Sequence, residues 1–304
     1  MFASLATDLC ALPREDSVLG VALRGTGYRG TDVGHCVLVC SWAALPGVTA
    51  LSVPVLTLEN VCVSHDGRLV LTGVNLSVEA GRWIALVGPN ASGKTTLLRA
   101  IAGRHSPSRG VVRIDGMPLY PAKDWVGRLP GFAVSPEELP SFLTVRQCLE
   151  IHANAHGFPT VPGESNELGS SLDMDPHAHT LVRDASFGTR QKLAIMLALM
   201  PPPSLLLLDE VFNGLDFASG MQLRDYLRQR VDAGKLTVLL ATHSLDVVVR
   251  CCDELVLLHS GTTIRHWDAR DFSGPDGIPS LERALVNATG GGGGDPPRPR
   301  DPRK

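Results

Sequence analysis

The sequence predicts an α/β fold in which a mostly parallel sheet, buried on both faces, is built around a phosphate-binding loop. Three observations predict it. Gly88-Pro89-Asn90-Ala91-Ser92-Gly93-Lys94-Thr95-Thr96 fits G-x-x-x-x-G-K-[ST]. That loop sits between an apolar run, Trp83 to Val87, and a helical pattern from Thr96 to Ala102 closed by Gly103, the strand–loop–helix context the motif requires. Further on, Leu205 to Leu208 is a continuous apolar run ending in Asp209-Glu210, the pattern of a strand in the middle of a parallel sheet.

Composition bounds the rest. A chain of 304 residues can bury one large or two small cores, and is too short to hold a transport pore as well. The formal net charge of −3 supplies no basic field, so nucleic acid is not an expected partner. The 7 cysteines follow neither metal-ligand nor disulfide-framework spacing, which favours a reducing compartment. Cys36 to Leu58 carries no charged side chain, but Pro46-Gly47 and Pro54 interrupt it, and its second half reads as a strand rather than a membrane span.

Taken in order, residues 1–53 show no period and read as a poorly ordered extension. Val55 to Val61 and Val70 to Val78 alternate as strands around a His65-Asp66-Gly67 turn, an antiparallel pair. Gly110 to Gly116 is a further strand and turn. A helix from about Leu143 to Ala155 starts at the N-cap Thr144, and 157–176, rich in Pro, Gly, Ser and Asp, reads as loop. From Ser186 a helix places Leu193, Met196, Leu197 and Met200 on one face until Pro201-Pro202-Pro203 stops it. Beyond the leucine strand come a helix from about Ala218 to Val231, strand Leu236 to Ala241, helix Leu245 to Cys251 and strand Glu254 to Leu258, the alternation of a doubly wound domain. The folded domain is expected over 54–284, with a small helical part at about 136–200, and 285–304 reads as a flexible Gly/Pro/Arg tail.

The chemistry follows from placement. Glycines at both ends of the loop let the backbone curl so that successive N–H groups face a phosphate, and the following helix adds its N-terminal dipole. Lys94 supplies a point charge to the terminal phosphates, and the Thr95 hydroxyl a ligand for Mg²⁺. Asp209, at the carboxyl edge of a parallel sheet, is placed to hold the same metal through water. Glu210 points elsewhere and is the candidate to polarise an attacking water. His243, just past the next apolar strand, belongs to the same edge.

From Val55 to about His266 these residues resemble the ATP-binding domain of the ABC (ATP-binding cassette) transporters. The resemblance implies a P-loop NTPase cassette: a RecA-like parallel-sheet core, an antiparallel β subdomain and a small helical subdomain. Where the family carries its L-S-G-G-Q signature this chain has Ala185-Ser186-Phe187-Gly188-Thr189, retaining the serine and the second glycine. The form Ser-x-Gly-x-Arg-Gln-Lys-Leu is similar to that of a subgroup of exporters. Gly214-Leu215-Asp216 fits the D-loop, His243 the H-loop, and His65 falls where an aromatic stacks on adenine. Three positions depart from the pattern: Ser135 stands where a glutamine reaches the metal and attacking water, His65 offers a smaller face, and Val211 replaces a proline.

The resemblance further implies ATP and Mg²⁺ as ligands and a dimer of ATP-binding domains, homo- or heteromeric. Each nucleotide would be held by one phosphate loop and the facing Ser186 helix, with Gly188 and Asp216 beside it. Output would pass to a separate transmembrane permease subunit, docked on the segment between Ser135 and Ala185 through Phe142 and Leu143, at the cytoplasmic face of the membrane. Two other readings compete: a regulatory module that binds ATP with little turnover, which Ser135 and Ala185 permit, and a soluble ABC ATPase of DNA repair or translation. The latter usually carries a coiled coil or two cassettes.

Overall fold

The computed structural model describes residues 53–65, 67–120, 129–272 and 277–289. The expectations for residues 1–52, for Asp66 and for the tail from Gly290 lie outside them.

β1 (Leu56–His65) and β2 (Arg68–Val78) form the expected antiparallel pair, joined from Leu56↔Val78 to His65↔Arg68 with shifts of register after Leu58. β3 (Trp83–Val87) enters the phosphate loop and α1 (Lys94–Ile101) leaves it. β4 (Arg109–Ile114) and β5 (Met117–Pro118) complete a four-stranded sheet in the order β2-β1-β4-β5. β6 (Gly131–Phe132) leads into α2 (Val145–Ala155), α3 (Gly163–Ser171) and α4 (Phe187–Ala198), after which β7 (Leu205–Asp209) returns beside β6. The chain then alternates through α5 (Phe217–Asp232), β8 (Thr237–Ala241), α6 (Leu245–Cys251) and β9 (Glu254–His259). β10 (Thr262–Asp268), α7 (Ala269–Phe272) and α8 (Gly277–Thr289) close it.

The second sheet has the order β10-β9-β3-β8-β7-β6, parallel except for the edge strand β10. Its two faces serve two cores. Trp83, Ala85, Leu206, Leu208, Val238 and Leu240 face α2 to α6, whereas Ile84, Leu86, Leu205, Leu207 and Leu239 face α1 and the antiparallel sheet. All four β7 leucines are fully buried, which is why the run shows no alternation, and each contributes about 1.5–3 kcal/mol of apolar burial. Because β3, β7 and β8 are in parallel register, with Leu86 and Asp209 both opposite Ala241, their carboxyl ends meet along one edge.

Four expectations need correction. The segment 157–176 is not all loop: α3 forms in it because Leu168 is buried against the core and Arg230 of α5 reaches Glu164 at 2.6 Å, so packing overrides a Gly/Ser-rich composition. α4 is not one-faced; Gln191, Ala194, Ile195 and Ala198 are buried along with Leu193 and Met196, because the helix is enclosed by α2, α3 and β6. α8 runs to Thr289, past the expected end at Ala284, with Leu281 buried and Ala284 and Leu285 packed against the core. Leu143 is half-buried against the core, so it is Phe142 alone of that pair, 73% exposed, that faces outward.

Candidate active site

The phosphate loop is held in its curled form by local geometry. Ala91 and Gly93 have positive φ, 62° and 104°, and Gly93 caps α1. A Cβ at Gly88 would lie 2.1 Å from the Leu258 carbonyl oxygen, so only glycine fits between the loop and β9. Inside the curl, Lys94 is 7% exposed and its Nζ donates to the Gly88 carbonyl at 2.8 Å and to the Pro89 carbonyl at 3.3 Å. The Ser92 hydroxyl is buried without a partner. A buried ammonium resting on its own loop's carbonyls beside an orphaned hydroxyl is a donor set suited to an anion, and a phosphate chain fits it. Pro89, Asn90, Ala91 and Thr95 are exposed at the mouth, with Thr96 half-buried in the first turn of α1.

The Thr95 hydroxyl stands close enough to the Asp209 carboxyl to act on its ionisation. Burial pushes the Asp209 carboxyl above its usual range, the Thr95 hydroxyl and the charges of Lys94 and Arg99 pull it down, and Glu210 raises it further. A carboxylate so destabilised beside a hydroxyl is an oxygen pair that a hard divalent cation would relieve. Among the described residues no group of three or more His, Cys, Asp or Glu converges to hold a metal, so such an ion would draw its other ligands from phosphate and water.

Glu210 sits at φ 51°, a left-handed conformation unusual for a non-glycine residue, pinned by its N–H to the Ala241 carbonyl at 2.9 Å. Its side chain is held by three neighbours. Oε1 lies 2.9 Å from His243 Nδ1, and Oε2 accepts from Asn213 Nδ2 at 3.0 Å and Thr242 Oγ1 at 3.3 Å. Thr242 is itself rooted, its N–H on the Leu86 carbonyl at 3.2 Å and its hydroxyl accepting from the Ser244 N–H at 3.1 Å. Neither Asn213 nor Thr242 was among the sequence candidates. Thr242 stands one residue before His243 and could have been suspected; Asn213 reads simply as a turn residue before glycine.

Ser186, Gly188 and Asp216 form a second group around the starts of α4 and α5. Ser186 caps α4, accepting from the Thr189 N–H at 3.1 Å. Asp216 caps α5, accepting from Ser219 N–H at 2.9 Å and Ser219 Oγ at 2.7 Å, with Lys192 Nζ 3.2 Å away; these bonds hold its carboxyl well below the usual range. Lys192 also donates to the Leu172 carbonyl, joining α4 to the end of α3. Gly188 approaches the Gly214 carbonyl so closely that a Cβ would be 2.9 Å from it. His65 is exposed at the end of β1, its ring 6.1 Å from that of His105. Ser135 is exposed and donates to Glu137, which holds that carboxyl below its usual range. The turn that Ser135 opens is fastened to the end of α1 by Glu138, paired with Arg99 and Arg104 at 2.9 Å each.

Comparison with known proteins bears on the family and the fold. The family model described as "ABC transporter" matches residues 71–213. The Nod factor export ATP-binding protein I of Ralstonia nicotianae is 31% identical over 225 residues, 72% of this chain and 68% of that protein. The sulfate/thiosulfate import ATP-binding protein CysA of a Synechocystis species is 33% identical over 206 residues, 67% of this chain and 58% of that protein. A solved structure described as the ATP-binding subunit of an ABC transporter superposes with a TM-score of 0.63 at 28% identity, over 77% of this chain and 95% of its own.

Proposed function

We propose that this chain, which belongs to the ABC transporter family as an ATP-binding subunit, hydrolyses ATP to drive a separate transmembrane permease. The observation that carries the hydrolytic part is the Glu210 carboxylate, fixed by three donors at the strand edge where the phosphate loop opens. The loop N–H groups, Lys94 and Ser92 would hold the phosphates, and His65 would stack on the adenine. Thr95 and Asp209 would hold Mg²⁺, which when bound neutralises phosphate charge. Glu210 takes the proton of the attacking water, and His243 holds Oε1 in place for it.

The α4–α5 group supports a dimeric reading. Ser186 and Asp216 cap the starts of α4 and α5, Gly188 lies against Gly214 between them, and the three would act on the nucleotide of a second cassette closed head to tail on this one. Phe142, exposed on the 135–185 segment, is the proposed contact with the permease. Among the described residues no helix is long and apolar enough to cross a membrane, so attachment to the cytoplasmic face would run through that partner. Export is the direction we favour, on the form of the segment from Ser186 to Leu193; the relatives' names include both directions. In vesicles reconstituted with the permease, ATP on the cassette side should move substrate away from that side, and the opposite movement would overturn the direction.

The test of the reading is steady-state Mg-ATP hydrolysis by the chain and by Glu210→Gln. Loss of the general base should slow turnover about a hundredfold or more while ATP still binds. Equal, negligible turnover in both would favour instead a nucleotide-binding regulatory module, a reading supported by Ser135, whose hydroxyl is engaged by Glu137.

A further inference from the structure

Glu210 has more partners than a base alone needs, and one of them leads out of the site. A carboxylate offers about four acceptor positions. The donors Asn213 Nδ2 and Thr242 Oγ1 lie on Oε2, and His243 Nδ1 lies on Oε1, which leaves one acceptor position of Oε1 unused. Because the Glu210 backbone has left strand geometry at φ 51°, the sheet does not aim this side chain. Its ties do.

The two donors on Oε2 differ in what fixes them. Thr242 is 2% exposed and bonded into the β3–β8 edge. Asn213 lies in the 3₁₀ turn Val211–Gly214 that connects β7 to α5, and that turn is braced from α4. A Cβ at Gly214 would lie 2.5 Å from Cε1 of Phe187, so the ring on the first turn of α4 rests directly on the residue after Asn213. Gly188, one residue on, meets the Gly214 carbonyl from the same helix end.

We infer that Asn213 is a positioning residue for Glu210, and that its placement is set from α4 by Phe187 packed against Gly214. The end of α4 that carries Ser186 and Gly188 is thereby linked to the base within one chain, so a shift of that helix end alters where the open acceptor of Glu210 points. The inference rests on the reading of Glu210 as the base.

The experiment is steady-state hydrolysis at saturating Mg-ATP, alongside ATP affinity by calorimetry and Tm. Asn213→Ala is expected to slow hydrolysis about tenfold with ATP affinity unchanged, since a small misdirection of a base costs rate and not binding. Asn213→Ser, which keeps a donor, should recover most of the rate. Phe187→Ala should slow hydrolysis severalfold, and Phe187→Tyr, which keeps the ring, should not. A wild-type rate in Asn213→Ala, a defect that Asn213→Ser fails to mend, or rate and affinity falling together with Tm would each overturn the inference. Glu210→Gln separates the two levels: if it is slow while Asn213→Ala and Phe187→Ala are normal, only the inference falls. If Glu210→Gln turns over normally, or the wild-type chain does not hydrolyse ATP at all, the base assignment falls and the inference with it.

Discussion

The sheet edge and the α4–α5 group are built from similar materials, and they differ in what they leave open. At the edge, polar groups are drawn inward: Lys94 is enclosed, Asp209 is partly buried and raised by that burial, and Ser92 has a buried hydroxyl with nothing to bond. In the α4–α5 group Ser186 and Asp216 satisfy backbone N–H groups at helix starts, and Asp216 is largely exposed. The edge therefore keeps hydrogen-bonding capacity that its own residues do not use. The α4–α5 group is complete as structure and acquires a binding role only if something is pressed against it.

That contrast can be broken by substitution, beginning where the effect should be largest. Lys94→Ala removes the buried cation of the cradle and should abolish measurable ATP binding, a loss of two orders of magnitude or more in affinity by calorimetry, on the order of 3 kcal/mol for a charge-assisted contact. Ser186→Arg should leave ATP binding to the isolated chain unchanged and slow hydrolysis about tenfold or more, because it would obstruct the site we propose that this helix contributes to another copy. Binding lost equally in both variants would erase the distinction between the two regions.

A packing substitution sharpens the comparison from the other side. Leu207→Ala, in the fully buried strand that ends in Asp209, should cost about 2–5 kcal/mol in denaturant unfolding. Phe142→Asp, on an exposed side chain, should change stability by no more than about 0.5 kcal/mol and abolish co-purification with the permease. Retained co-purification would remove Phe142 from the docking surface.

How much of this could be read from the chain depends on how local each feature is. The phosphate loop was legible because its residues are contiguous and its flanks carry their own periods. The β7 strand was legible because burial on both faces leaves an uninterrupted apolar run. The closeness of His243 to Glu210 followed from counting strands to a shared edge, although the 2.9 Å contact required the β7–β8 register. The helix α3 was hidden because it is stabilised by packing of Leu168 and by Glu164 with Arg230, and not by its own composition. Asn213 was hidden for a related reason: its partner carboxylate is oriented by a left-handed backbone that no local pattern announces.

The comparison is tested most directly by sedimentation velocity of the Glu210→Gln chain with and without saturating Mg-ATP. If the edge of one copy and the α4–α5 group of another enclose a nucleotide, the slow variant should sediment as a monomer without ATP and as a dimer with it, and adding Ser186→Arg should return it to a monomer. A chain that binds ATP by calorimetry yet remains a monomer at every ATP concentration would contradict the composite site.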